Sequence, residues 1–298
     1  MKQEFRVVDH YIPRRESMEK ATGQIAYTDD MNLPDQAYAI VIRSPYSSAR
    51  VLSIDMSEAE KFPGYLGCLL PDEVPQTMYN PSSNPPAELL LKDVVLLTKE
   101  AKFIGDRLLC VAAETADACR EAVRRVKIDF EVKKPLMNVR ESMAEGAEQI
   151  EPHLTNNNIV RHRQVAQGDM AKKPSMCSRG TFSTQPMQHV PIEPTACLCD
   201  FSDGKHLTVY SNSQTVFQER RIMAEVLGLK ETEVRFIKPA VGGGFGARQQ
   251  LHSQPVIALM LKKLRRPVKC IYTREEEFTA AVRSAATATR SSPSGARS

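Results

Sequence analysis

At 298 residues, the chain is long enough for one large domain or two ordinary ones, and its 42% hydrophobic content supports sizeable cores. Its formal charge of +4 comes from 40 basic and 36 acidic residues that are interspersed, which describes solvated surfaces and argues against a DNA- or RNA-binding face. The start, MKQEFRVVDHYIPRR, lacks an apolar leader core and no later stretch approaches the roughly 18 apolar residues of a membrane span, so a soluble cytoplasmic protein is expected.

Taken in chain order, the first part alternates strand-like and helix-like segments. Residues 38–44 have the composition of a buried strand, VLSIDMSEAEKF predicts a strand and then a short helix starting near Ser57, and GYLGCLLP predicts another strand. NPSSNPPAE is rich in proline, serine and asparagine and predicts a surface loop. After it come a strand in DRLLCVAAET, a helix in TADACREAVRRV with Thr115 as N-cap, and a strand with alternating faces in VKIDFEV. This order implies a self-contained α+β domain over residues 1–135, joined by a connecting segment that runs to about Asn158.

The second part, residues 136–283, opens with strand-like runs in IVRHRQVAQGD, RGTFSTQ and PIEPTACLCDF. HLTVYSNS predicts a strand leading into a helix that puts Val216, Met223 and Leu227 on one face, with Gly228 placed to end it. EVRFIKPAV, QLHSQPVIALMLKKL and RPVKCIYT then predict strand, helix and strand. Met187, Met223 and Met260 are expected in the core, and Glu275 to Glu277 in a solvated first helical turn. The small, polar tail at 284–298 is expected to stay disordered, and its abrupt change of composition suggests a truncated chain or a reading frame lost near Arg283.

The seven cysteines form no CxxC pair, so neither a disulfide framework nor a metal site is legible from spacing. Cys197 and Cys199 would share one face of a strand, where two small apolar residues are the simpler reading than half of a metal site. No residue is assigned as a metal ligand.

The stretch AVGGGFGARQQ, Ala240 to Gln250, concentrates four glycines between Gly242 and Gly246. A P-loop would need Gly-Lys-[Ser/Thr], and here Gly-Ala-Arg-Gln follows. Gly242, Gly244 and Ala247 satisfy G-x-G-x-x-[GA] formally, yet the acid expected about 20 residues later is missing, the first candidates being Glu275 to Glu277. The residues alone leave open a dinucleotide loop, a different cofactor and a purely structural turn.

Several motifs in one order narrow the choice. TVYSNSQTVFQERRIMAEVLGL, EVRFIKPAVGGGFGARQ and RPVKCIYTREEEF resemble the molybdenum-binding subunits of the xanthine dehydrogenase and aldehyde oxidase family. MEKATGQIAYTDDM, VIRSPYSSARV, KFIGDRLLCVAAET and VKIDFEV resemble that family's hammerhead domain, so the resemblance covers roughly residues 1 to 283. It implies an α+β fold: a hammerhead-type domain followed by an incomplete molybdopterin-binding domain.

The resemblance also implies chemistry. Such enzymes hydroxylate a carbon beside a ring nitrogen, or an aldehyde carbon, with oxygen from water. Electrons leave through 2Fe-2S clusters to FAD, here expected on partner subunits. Gln214 matches the glutamine whose amide faces the molybdenum centre. Phe245 and Gly246, preceded by Gly243 and Gly244, match the main chain that borders a molybdenum–molybdopterin cofactor, expected in its cytosine dinucleotide form. Gln249 stands where the animal xanthine oxidoreductases carry a purine-binding glutamate, and it offers a neutral amide instead; a purine such as xanthine or hypoxanthine is still the expected substrate. Arg248 keeps the charge of a more frequent lysine. His189 and Glu193 lie close to these motifs, where a loop histidine and a strand-end acid are the simpler readings. The family's catalytic base, a glutamate near the end of a much longer chain, has no counterpart here, so no catalytic residue is assigned and the chain alone is expected to be inactive. A non-catalytic assembly or partner-binding fragment is the alternative, with a nicotinamide-dependent oxidoreductase third.

Overall fold

In the computed structural model, which describes residues 6–82, 91–152, 157–160, 177–280, 283–284 and 288–295, the expected strands and helices form in the expected order. The first half contains α1 (Ser17–Ala21), β1 (Ala37–Arg43), β2 (Ala49–Asp55), α2 (Ser57–Glu60), β3 (Tyr65–Leu69), β4 (Glu100–Ala101), β5 (Arg107–Ala113), α3 (Ala116–Arg125), β6 (Lys127–Val132) and α4 (Val139–Ser142). The second contains β7 (Cys177–Ser183), β8 (Met187–Gln188), β9 (Ala196–Asp200), β10 (Leu207–Ser211), α5 (Val216–Leu227), β11 (Val234–Ile237), α6 (Gln254–Leu264), β12 (Val268–Ile271), α7 (Arg274–Thr279), β13 (Arg283–Ser284) and β14 (Ala288–Gly295). Most of the NPSSNPPAE loop and most of the strand expected in IVRHRQVAQGD lie outside the described residues.

The helix ends follow local chemistry. Thr115 caps α3 by accepting from the Ala118 N–H at 3.1 Å. Gly228 stops α5 in the left-handed region, φ 66°, its N–H turned back onto the last helical carbonyls. α6 starts at Gln254, not at Gln250, because Pro255 suits the first turn, where its missing N–H costs no bond.

The expectation of a self-contained first domain is corrected by the main sheet. Its order is β11-β10-β9-β12-β1-β5-β3, so strands of the two halves join in one seven-stranded layer. The seam is the parallel pair β1–β12, with Ala37 opposite Val268 and Tyr38 opposite Lys269. Lys269, almost fully buried, reaches across it to donate to the Asp29 and Met31 carbonyls and to Asn32 Oδ1, and pairs with the Asp29 carboxylate at 3.4 Å. A smaller sheet, β4-β2-β6, lies in the first half.

Strand alternation on β5 explains two cores. Cys110 and Ala112 point into the large core, shared with β9, β10, β12, α5 and α6, whereas Leu109 and Val111 face a smaller one with Val51, Met56, Ala59 and Ala122. Cys197 and Cys199 are buried in β9, Met223 and Met260 are fully buried, but Met187 is 68% exposed on the short β8, against expectation. An apolar side chain in a two-residue strand has too little neighbouring sheet to cover it.

The tail also departs from expectation, since β14 pairs antiparallel with β7. Ladder bonds use main-chain groups, which small polar residues carry as well as any other, and the register shifts between Ser291 and Ser294, where Pro293 has no N–H to give.

Candidate functional site

The glycine stretch does not open a helix. β11 ends at Ile237 at the edge of the main sheet, and the chain from 238 to 253 is a loop that precedes α6. A dinucleotide fingerprint would need its glycines at a helix N-terminus, so that reading loses its geometry.

Two glycines of the loop serve the protein's own side chains. A Cβ on Gly242 would lie 2.6 Å from Glu193 Cβ, and one on Gly244 would lie 2.6 Å from Gln214 Cδ and Oε1. Gly243 and Gly246 have φ of +108° and +100°, and Phe245 between them sits at +55° and is 73% exposed. A non-glycine residue held in the left-handed region stores strain, which the surrounding bonds must hold.

Those bonds come from Gln214 and Glu193. Gln214 Oε1 accepts the Gly246 N–H at 3.0 Å and the Arg248 N–H at 3.3 Å, while its own N–H donates to the Arg248 carbonyl at 2.8 Å. With Oε1 committed to the loop, the donating end of the exposed amide has no partner among the described residues. Glu193 Oε2 accepts the Gly242 N–H at 2.6 Å and its N–H donates to the Gly242 carbonyl at 3.2 Å. The N–H groups of Gly243, Gly244 and Phe245 have no acceptor among the described residues. Three successive unpaired donors on a partly exposed loop are a donor set suited to negatively charged oxygens.

Beneath the loop lies a charged interior. Arg248, 1% exposed, donates from Nη2 to the Glu193 carbonyl at 2.7 Å and from Nη1 to Thr195 Oγ1 and to Glu277 Oε1, the latter at 3.3 Å. Glu277 is fully buried and also accepts from the Thr195 N–H, so the expected solvated acidic turn is corrected at this position. Burial alone would raise the Glu277 carboxyl, but Thr195 and Arg248 together hold it below the usual range. Of its neighbours, Glu276 caps α7 through the Thr273 N–H, and Glu275 is exposed.

Two further acids are pushed upward by burial: Glu193, and Glu219, which rises to about 8. Glu193 Oε1 and Glu219 Oε2 have no hydrogen-bond partner among the described residues. His252 Nε2 contacts the Ala247 carbonyl at 3.0 Å, and burial followed by the Arg248 charge lowers it to about 4, so the ring is neutral near pH 7. From the first half, Tyr27 bridges Ala240 in parallel, which brings Tyr27 alongside the loop base.

Of the residues expected at the site, Gln214 meets Gly244, Gly246 and Arg248 directly, and Gln249 closes a turn with its N–H donating to the Gly246 carbonyl at 3.3 Å. His189 is half-buried, its Nε2 3.6 Å from where a Cβ on Gly246 would be. The interior roles of Glu193, Glu219 and Glu277 were not expected; apart from the acid-rich turn, no local pattern marks them. A cleft of about 870 Å³, lined by residues that include Phe103, Lys133, Met137 and Ile150, lies elsewhere.

Comparison with known proteins settles the family. Residues 150–292 match the molybdopterin cofactor-binding domain, and residues 22–134 match the a/b hammerhead domain of aldehyde oxidase and xanthine dehydrogenase. The chain belongs to the xanthine dehydrogenase and aldehyde oxidase family. It is similar to the probable hypoxanthine oxidase XdhD of Escherichia coli strain K12, at 27% identity over 93% of this chain and 33% of that protein. It is also similar to the nicotinate dehydrogenase large molybdopterin subunit of Eubacterium barkeri, at 29% identity over 94% of this chain and 64% of that one. The chain thus spans about a third of the first relative's length and under two thirds of the second's.

Among solved structures, quinoline 2-oxidoreductase from Pseudomonas putida 86 has the same fold, with a TM-score of 0.85 at 22% identity over 94% of this chain and 36% of that one. Aldehyde oxidoreductase from Desulfovibrio gigas gives 0.84 at 22% identity over 92% of this chain and 31% of that one. The second half of this family member is therefore a molybdopterin cofactor-binding domain, and the first is of the hammerhead type. No helix among the described residues is long and apolar enough to cross a membrane.

Proposed function

We propose that this chain forms the cofactor-holding part of a molybdenum hydroxylase that oxidises a purine. The observation that carries the reading is the donor set: the unpaired N–H groups of Gly243, Gly244 and Phe245, next to the outward amide of Gln214. The family's cofactor presents oxo and phosphate oxygens, and such donors fit them. Gln214, Gly243, Gly244, Phe245 and Gly246 would hold the group, which when bound supplies the redox chemistry of carbon hydroxylation. Gln249, at the end of the same loop, would meet the substrate with an amide able to donate as well as accept. The cytosine dinucleotide form, partner subunits carrying 2Fe-2S and FAD, and a cytoplasmic location belong to the same proposal; the part of each relative that this chain does not span supports further domains or subunits alone.

The protein's own task is orientation. The loop keeps its strained path because Gln214 and Glu193 bind it, and the buried Arg248 ties its base to the Glu193 carbonyl and to Glu277. A purine is favoured over other heterocycles by the XdhD relative and by a second E. coli relative, a putative xanthine dehydrogenase molybdenum-binding subunit XdhA, at 28% identity over 90% of this chain and 36% of that one.

The test is to express the chain in cells that make the cofactor, measure molybdenum and pterin per chain, and assay hypoxanthine, xanthine and nicotinate after adding the part of a relative's large subunit that this chain does not span, with flavin and iron–sulfur subunits. We expect near-stoichiometric pterin in the wild type and a large loss in Gln214→Ala. A folded wild type that retains no pterin sinks the cofactor reading, and nicotinate turnover without purine turnover sinks the substrate.

A further inference from the structure

Glu219 lies in the first turn of α5, is fully buried, and was not among the residues expected at the site. Its Oε1 accepts the Ser213 hydroxyl at 2.7 Å and the Thr215 hydroxyl at 3.1 Å. Ser213 Oγ in turn accepts the Thr215 N–H at 2.9 Å. The residues on both sides of Gln214 are therefore tied to one carboxyl group, while Gln214 itself spans from that knot to the glycine loop.

We propose that Glu219 is a positioning residue for Gln214: by gripping Ser213 and Thr215 it fixes the backbone at Gln214, and through it the spacing between the Gln214 amide and the loop. Its importance for the cofactor rests on the function proposed above, but the positioning itself does not. Among the described residues the side chain makes no hydrogen bond to the loop; apart from the charge of Arg248, its link to the loop is Gln214. A burial this complete would be costly for an acid that served packing only, since leucine or methionine would fill the volume without an unpaired Oε2.

Burial, opposed by the Ser213 and Thr215 hydroxyls and then by the charge of Arg248, pushes this carboxyl up to about 8. The group is therefore mostly neutral at pH 7. Because its folded value stands above its ordinary value of 4.5, its contribution to the folded state is complete below about pH 4.5 and is lost as pH rises through about 8. Ionisation would set a second carboxylate competing for the charge of Arg248, which already pairs with Glu277.

Hydrogen–deuterium exchange on the full chain tests the idea without cofactor. Two lost hydrogen bonds predict that Glu219→Ala speeds local opening about tenfold or more at residues 213–215 and 246–248, whose amides are hydrogen-bonded, with α6 and β12 unchanged. Glu219→Gln, which keeps both accepting contacts, should behave as wild type near pH 4.5 and should lack the loosening that the wild type acquires as pH rises from there through about 8. Unchanged exchange at the loop in Glu219→Ala, or an equal rise throughout the sheet, would overturn the proposal. Should Glu219→Ala not fold, Ser213→Ala removes one of the two bonds, and the same local rise, smaller, is required of it. Pterin content gives the second readout: in a wild type that holds pterin, Gln214→Ala and Gln214→Ala/Glu219→Ala should retain equal amounts, and a further loss in the double variant would show a route other than Gln214. If the wild type holds no pterin while the exchange pattern is as stated, the cofactor reading fails and the positioning role stands.

Discussion

Arg248 joins three separate pieces of chain under the loop: the Glu193 carbonyl, Thr195 at the start of β9, and Glu277 on α7. A planar fork of donors reaches these partners together, whereas the single ammonium of a lysine would leave at least one acceptor unmet. Arg248→Ala leaves Glu277 as an uncompensated buried charge, and we expect a loss of about 3–5 kcal/mol in urea unfolding at neutral pH. A loss within about 0.5 kcal/mol would show that the pair does not hold the interior. Charge and position were legible for Arg248 from the sequence, but its depth was not. Glu277 looked like one acid of a solvated turn, since only the docking of α7 onto the loop decides which of three consecutive glutamates is inside.

Helices and strands were the most legible scale. In α5 the apolar spacing of Val216, Met223 and Leu227 marks the core face and Gly228 marks the stop, and the structure agrees at both. Because Gly228 holds a left-handed conformation, Gly228→Ala should cost about 1 kcal/mol in thermal unfolding while the helix content measured by circular dichroism barely changes. No measurable cost would mean that the turn relaxes without its glycine. Less legible was the span from 238 to 253, which periodicity could not separate from the coming helix: Leu251 is buried like a helical residue, yet its N–H donates to the Pro81 carbonyl. The β14 ladder was hidden for a related reason, since main-chain pairing leaves no mark on side-chain composition.

For the whole molecule, one sheet made from both halves predicts one cooperative unit. Amides of β5 and of β10 should lose protection at the same denaturant concentration, and Lys269→Ala, which frees the Asp29 and Met31 carbonyls from their buried partner, should lower that midpoint for both strands together. Separate midpoints would restore two independent domains. By itself the sequence determined the elements, several of their caps, the order of motifs that marks the family, and the meeting of Gln214 with the glycine loop. Each depends on neighbours a few residues away or on short motifs that survive as text. Only the tertiary structure decided that the halves share a sheet, that Arg248, Glu219 and Glu277 are interior, and which loop amides remain without partners. Burial and pairing depend on segments far apart in the chain, and no local pattern carries the distance between them.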